Sequence, residues 1–116
     1  MPLSIQERRT EPRFHVAGRV NLLWPAGQCD AETVDVSLNG LQVALPDGLQ
    51  VMQGENIEVE VWIGDISHFL VKGVAAHQHA QHLGIEFYGM STADFDSLSG
   101  LIALLGRDTS KRLSAA

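Results

Sequence analysis

The stretch Ile57-Glu58-Val59-Glu60-Val61-Trp62-Ile63 constrains this chain more than any other. Its strict alternation puts Ile57, Val59, Val61 and Ile63 on one face and Glu58 and Glu60 on the other, as a half-buried strand requires. Gly64-Asp65 follows as a short hairpin turn. The partner strand runs from about Ser67 to Ala76, carrying Phe69, Val71 and Val74, with a bulge expected at Gly73. One hairpin of this kind cannot bury its apolar face alone, so more strands must complete a core.

The remaining chain supplies them. From Arg13 the pattern is strand-like, with Phe14, Val16, Gly18, Val20 and Leu22 sharing a face, until Pro25-Ala26-Gly27 turns the chain. A second strand spans about Gln28 to Val36 and a third Leu41 to Leu45, with Ser37 to Gly40 between them. Pro46-Asp47-Gly48 marks another turn, residues 49–54 read as a connection, and the last strand covers about His82 to Tyr88. Ser91-Thr92-Ala93-Asp94 then has capping-box character, with Asp at the position that prefers Glu or Gln. Phe95, Leu98, Leu101, Ile102 and Leu105 recur at helical spacing, and Gly106 reads as the stop, with Arg107 beside the negative helix end. These elements predict an all-β fold, a six-stranded antiparallel β-barrel with one C-terminal α-helix. Residues 1–12 read as a flexible arginine-bearing leader, 13–106 as barrel plus helix, and 107–116 as a disordered tail.

Bulk properties bound the function. A chain of 116 residues is long enough for one domain with a real core. No apolar run approaches the roughly 18 residues that cross a membrane, and the first dozen residues lack the apolar stretch of a signal peptide. The lone Cys29 has no partner for a disulfide or a metal. A cytoplasmic protein is the expectation. The net charge of −6 argues against generic binding to nucleic acid or to an anionic membrane. Yet four of the eight basic residues are Arg8, Arg9, Arg13 and Arg19. Local cationic character in an acidic chain suits a small anionic ligand better than a polymer.

Two stretches carry chemistry. Arg9 and Arg13 are four apart on a segment that Pro12 holds out of a helix. A guanidinium matches phosphate oxygens or the O6/N7 edge of guanine with two parallel hydrogen bonds. Taken alone, such a leader reads equally as a solvated basic segment. In Asp35-Val36-Ser37-Leu38-Asn39-Gly40, an ionised Asp35 offers acceptors to the N1–H and N2–H donors of guanine, and Ser37 adds a hydroxyl on the same side. Gly40 permits close approach of a ligand or a left-handed turn. Asn39-Gly40 is also a common hairpin turn.

Together the two stretches resemble the PilZ domain, the bacterial receptor module for cyclic di-GMP. That family carries R-x-x-x-R before its first strand, matched by Arg9-Thr10-Glu11-Pro12-Arg13, and D/N-x-S-x-x-G some twenty residues later, matched by residues 35–40. A weaker late hallmark, G-[IV]-x-F, is matched by Gly84-Ile85-Glu86-Phe87. The resemblance covers about residues 7–106 in the right order. It implies that Arg9 and Arg13 clamp guanine and phosphate, that Asp35 and Ser37 read a guanine edge, and that Gly40 leaves room. Arg8 directly before the motif implies binding of an intercalated cyclic di-GMP dimer. Along the barrel wall, His15, Gln42 and Trp62 are candidates without a motif. The implied function is a cyclic di-GMP receptor acting through an unidentified protein partner, with no other cofactor. The alternative is a PilZ-like interaction adaptor with weak or no nucleotide binding.

Other features read as structural. His77, His79 and His82 lack the spacing of a familiar metal site, and Trp24 and Trp62 suit a barrel wall. Neither Cys29 nor Ser37 has a sequence-recognisable partner base, and no Gly-rich phosphate loop precedes a helix. No catalysis is expected.

Overall fold

A computed structural model describes residues 12–115, with side chains to residue 107. Among the described residues, seven strands precede one helix: β1 (Phe14–His15), β2 (Arg19–Trp24), β3 (Gly27–Val36), β4 (Gly40–Ala44), β5 (Asn56–Ile63), β6 (Ser67–His79), β7 (His82–Gly89) and α1 (Thr92–Ala115). Every pairing is antiparallel. The order β3-β2-β5-β6-β7-β4 returns to β3, so six strands close a barrel and β1 is an extra strand beside β2 on the same edge of β3. Closure removes the free edges that an open sheet would expose.

The alternation seen in the sequence fills the interior. Val20, Leu22, Ile57, Val59, Val61, Ile63, Phe69, Val71, Leu83 and Ile85 are all buried. Trp24 joins them. Leu98 and Leu101 of α1 complete the core from one end, where the helix packs on β6 and β1.

Two local expectations are corrected. The first strand-like run is broken into β1 and β2. His15 pairs with Asp35 and Arg19 with Glu32, so four steps on one strand match three on the other. The extra residue sits where Gly18 passes the wall: a Cβ there would lie 2.7 Å from the Trp62 carbonyl oxygen. Thr33 bridges the gap, its Oγ1 donating to Val16 O (2.7 Å) and its N–H to Gly18 O (3.0 Å). The helix also runs through Gly106 to Ala115. Gly106 is not among the residues with positive φ, so it never adopts the left-handed cap that would end the helix.

The irregularity foreseen at Gly73 is present. Lys72 pairs with Gly89 and Gly73 with Phe87, so the extra residue there is Tyr88 on the opposite strand. A second shift at Ala75/His77 puts an extra residue, Ala76, on β6. Half of the capping box forms: Asp94 N–H donates to Ser91 Oγ (3.0 Å), while the Asp94 carboxylate accepts at Oδ2 from the Ser91 hydroxyl (2.6 Å) in place of the backbone N–H. Asp94 Oδ1 also accepts from Leu70 N–H (3.0 Å), which ties the helix start to β6. Among the described residues, no helix is long and apolar enough to cross a membrane.

Candidate ligand-binding site

The pairing of β1 with β3 brings the two sequence motifs together. Phe14 faces Val36 and His15 faces Asp35, which leaves Arg13 beside the Asp35 carboxylate. Arg13 donates from Nη2 (2.6 Å) and Nε (3.1 Å) to Asp35 Oδ1. The Asp35 side chain is 12% exposed and that of Arg13 49%. The carboxylate is therefore sunk in the wall, while its cation faces outward and remains able to meet a second anion.

The turn after β3 is held by its own polar groups. Ser37 N–H and Oγ both donate to Gly40 O (2.9 and 3.3 Å), and Asn39 N–H donates to Ser37 Oγ (3.2 Å). Phe87 N–H donates to Asn39 O (2.8 Å), fastening the turn to β7. Ser37 is fully buried. Its hydroxyl is engaged within the turn. Gly40 has an equally local reason: a Cβ there would meet the Ile85 carbonyl oxygen, and glycine is what lets β4 approach β7.

The third sequence match lies across that contact. Gly40 pairs with Glu86 and Gln42 with Gly84, so Gly84-Ile85-Glu86-Phe87 sits directly beside the turn. Arg13, Ser37, Asn39, Gly40, His77 and Glu86 border a cleft of about 420 Å³ on this side of the barrel. That volume falls within the range typical of small-ligand sites. His77 and Glu86 were not assigned from the sequence. They reach the cleft through the β6–β7 and β4–β7 pairings, which join residues far apart in the chain.

Of the wall candidates, His15 lies in β1, Gln42 on β4 away from the cleft lining, and Trp62 beside Arg19 at a different hollow. Arg8 and Arg9 lie outside the described residues. Among the described residues, no three His, Cys, Asp or Glu side chains converge as a metal site. A larger hollow of about 550 Å³, bordered by Leu23, Glu58, Glu60, Leu70 and Asp94, contains none of the motif residues.

Comparison with known proteins decides the family. The PilZ domain model matches residues 7–104, which includes both arginines of the R-x-x-x-R stretch and all of residues 35–40. The chain belongs to the PilZ domain family. No curated protein matches it. Among solved structures, YcgR from Escherichia coli in complex with c-di-GMP is similar with a TM-score of 0.75 at 18% identity, over 93% of this chain and 50% of that one. The PilZ domain of YcgR with c-di-GMP gives 0.73 at 15% identity, over 94% and 99%. The Bacillus subtilis inhibitor of motility, MotI/DgrA, gives 0.72 at 16% identity, over 90% and 52%. This PilZ chain thus spans about half the length of MotI/DgrA and of the longer YcgR chain. At such identities the likeness is one of fold.

Proposed function

We propose that this PilZ domain is a cytosolic receptor for cyclic di-GMP that folds its arginine leader over the nucleotide and presents the ordered surface to a protein partner. The observation that carries this reading is the Arg13–Asp35 contact at the rim of the cleft behind residues 37–40. The cyclic di-GMP held by the two YcgR structures of the same fold supports the choice of ligand.

In this reading Arg13, already oriented by Asp35, takes a phosphate or a guanine edge, and Arg9 closes from the other side. Ser37 and Gly40 act by shaping the wall. Arg8 contacts a base of a second, intercalated nucleotide. Ordering a segment on a ligand costs conformational entropy, which arginine contacts of about 1–3 kcal/mol each offset. The domain carries the signal by exposing a different surface with and without nucleotide; no catalytic step is invoked.

Calorimetric titration with cyclic di-GMP tests this, using the intact chain and its Arg9→Ala and Arg13→Ala variants. Each variant is expected to weaken binding about 10- to 100-fold. Two nucleotides per domain, reduced to one by Arg8→Ala, would assign Arg8 its role. Absence of both heat and thermal shift at high ligand overturns the reading in favour of an adaptor that works without nucleotide.

A further inference from the structure

Asp35 gives one carboxylate oxygen, Oδ1, to Arg13, and Ser37 is engaged inside its turn, so a further group beside them would add to the reading of a base edge. The outward faces of β6 and β7 supply one. A Cβ placed on Gly84 would lie 2.7, 3.1 and 3.2 Å from Cε1, Nδ1 and Nε2 of His77. Three ring atoms so nearly equidistant mean that the imidazole lies face-on over Gly84. One face of the ring covers the glycine, and the exposed ring borders the cleft.

Glu86 stands two residues further along β7, on the same outward face and about 6.8 Å from Gly84 along the strand. Its neighbours across the ladder are Gly40 on β4 and Val74 on β6, neither of which offers it a charge or a hydrogen bond. Glu86 is exposed. It makes no ion pair or side-chain hydrogen bond among the described residues.

We propose that His77 and Glu86 form the base-recognition subsite of this cleft, with a guanine stacked on the imidazole and its Watson–Crick edge on the carboxylate. The inference rests on the cyclic di-GMP reading and gives that reading its specificity. A flat ring with one free face is a stacking platform for any base. An ionised carboxylate has only acceptors, which suits the paired N1–H and N2–H donors of guanine. Adenine presents an acceptor at N1, against which a carboxylate oxygen is repelled. Hydrogen-bonding discrimination of this kind is stronger than discrimination by shape, because the wrong base covers the carboxylate without pairing it.

The test is a paired titration of the intact chain with cyclic di-GMP and cyclic di-AMP, for the unaltered protein and for Glu86→Gln, His77→Ala, His77→Phe and Arg13→Ala. Glu86→Gln is expected to weaken cyclic di-GMP about tenfold or more and to narrow its preference over cyclic di-AMP, since a glutamine amide both donates and accepts. His77→Ala should weaken both nucleotides about tenfold, and His77→Phe should restore them. If the protein binds cyclic di-GMP and loses it on Arg13→Ala, yet keeps its affinity and preference in Glu86→Gln, the subsite is refuted while the receptor reading stands. Binding of neither nucleotide by the unaltered protein removes both.

Discussion

Two outer faces of the same barrel treat a histidine and a glutamate in opposite ways. On the β2–β5–β6 face, Arg19, Trp62 and His68 stand in one row across the strands. The Arg19 guanidinium lies 5.5 Å from the Trp62 ring, and Trp62 stacks on His68 with centroids 5.4 Å apart and planes 8° from parallel. His68 Nε2 then meets Glu60 Oε2 at 2.7 Å. Cation, ring, imidazole and carboxylate satisfy one another. On the β4–β7–β6 face the imidazole of His77 lies over a glycine, and Glu86 faces another glycine across the ladder. The first face is closed by its own side chains, whereas the second is built by leaving side chains out. What Trp62 does for His68 is what a purine ring would do for His77. A binding cleft in a small barrel can therefore arise by omission at two cross-strand positions, with no change in the strands that carry it.

The comparison breaks first at its glycines. Gly40→Ala forces a Cβ onto the Ile85 carbonyl, a backbone atom that cannot move aside. Urea unfolding should show a loss of about 2–3 kcal/mol, the upper range for overpacking. Gly84→Ala meets only the His77 ring, which can lift away. Its stability cost should stay below about 1 kcal/mol, while cyclic di-GMP affinity falls because the platform is displaced. Equal stability losses from the two changes would show that His77 is fixed, and the contrast between a structural and a site-forming glycine would collapse. Next in size is Arg13→Ala, which leaves the sunken Asp35 carboxylate without its cation. A buried pair broken in this way costs about 3–5 kcal/mol, but Arg13 is half exposed, so about 1–2 kcal/mol is expected. Asp35→Asn in the same background should recover part of it. On the closed face, Arg19→Ala should cost about 0.5–1 kcal/mol and leave nucleotide affinity untouched. A binding defect there would mean that the ligand spreads across both faces.

The alternation of residues 57–63 made the barrel legible, because period-two patterning reports directly on which side of a strand is buried. Residues 82–88 did the same for β7. The break between β1 and β2 was not legible, since Gly18 is required by its distance to Trp62 and Ile63, a contact between distant parts of the chain. Gly106 misled for a related reason. A glycine after an apolar helical face resembles a cap, but its conformation depends on the residues beyond it, and Ser110-Lys111-Arg112-Leu113 contains nothing that stops a helix. At the site, the spacing of Arg13 and residues 35–40 marked groups that the fold does bring together. That spacing could not reveal that Ser37 is buried and engaged within its own turn, because its partners form only once the turn closes on Gly40. Nor could it reach His77 and Glu86, whose meeting depends on the β6–β7 and β4–β7 registers.

The smallest effect expected is one of pH, and it concerns neither outer face but the joint that seats the helix under both. Asp94 accepts from the Ser91 hydroxyl and from Leu70 N–H, and these two bonds hold its carboxyl below its ordinary value of 3.8. A carboxylate favoured in the folded state contributes stability that is fully present above that ordinary value. The contribution is lost as pH falls through the lowered folded value. The acid limb of a stability–pH curve should therefore be shallower in Asp94→Asn than in the unaltered protein, with the two curves converging at the lowest pH and running parallel above about pH 5. Ser91→Ala removes the stronger of the two bonds and the helix cap together. It should cost about 1 kcal/mol near neutrality and soften the acid limb as well. Should Asp94→Asn leave the acid limb unchanged, neither bond would favour the carboxylate in the folded state.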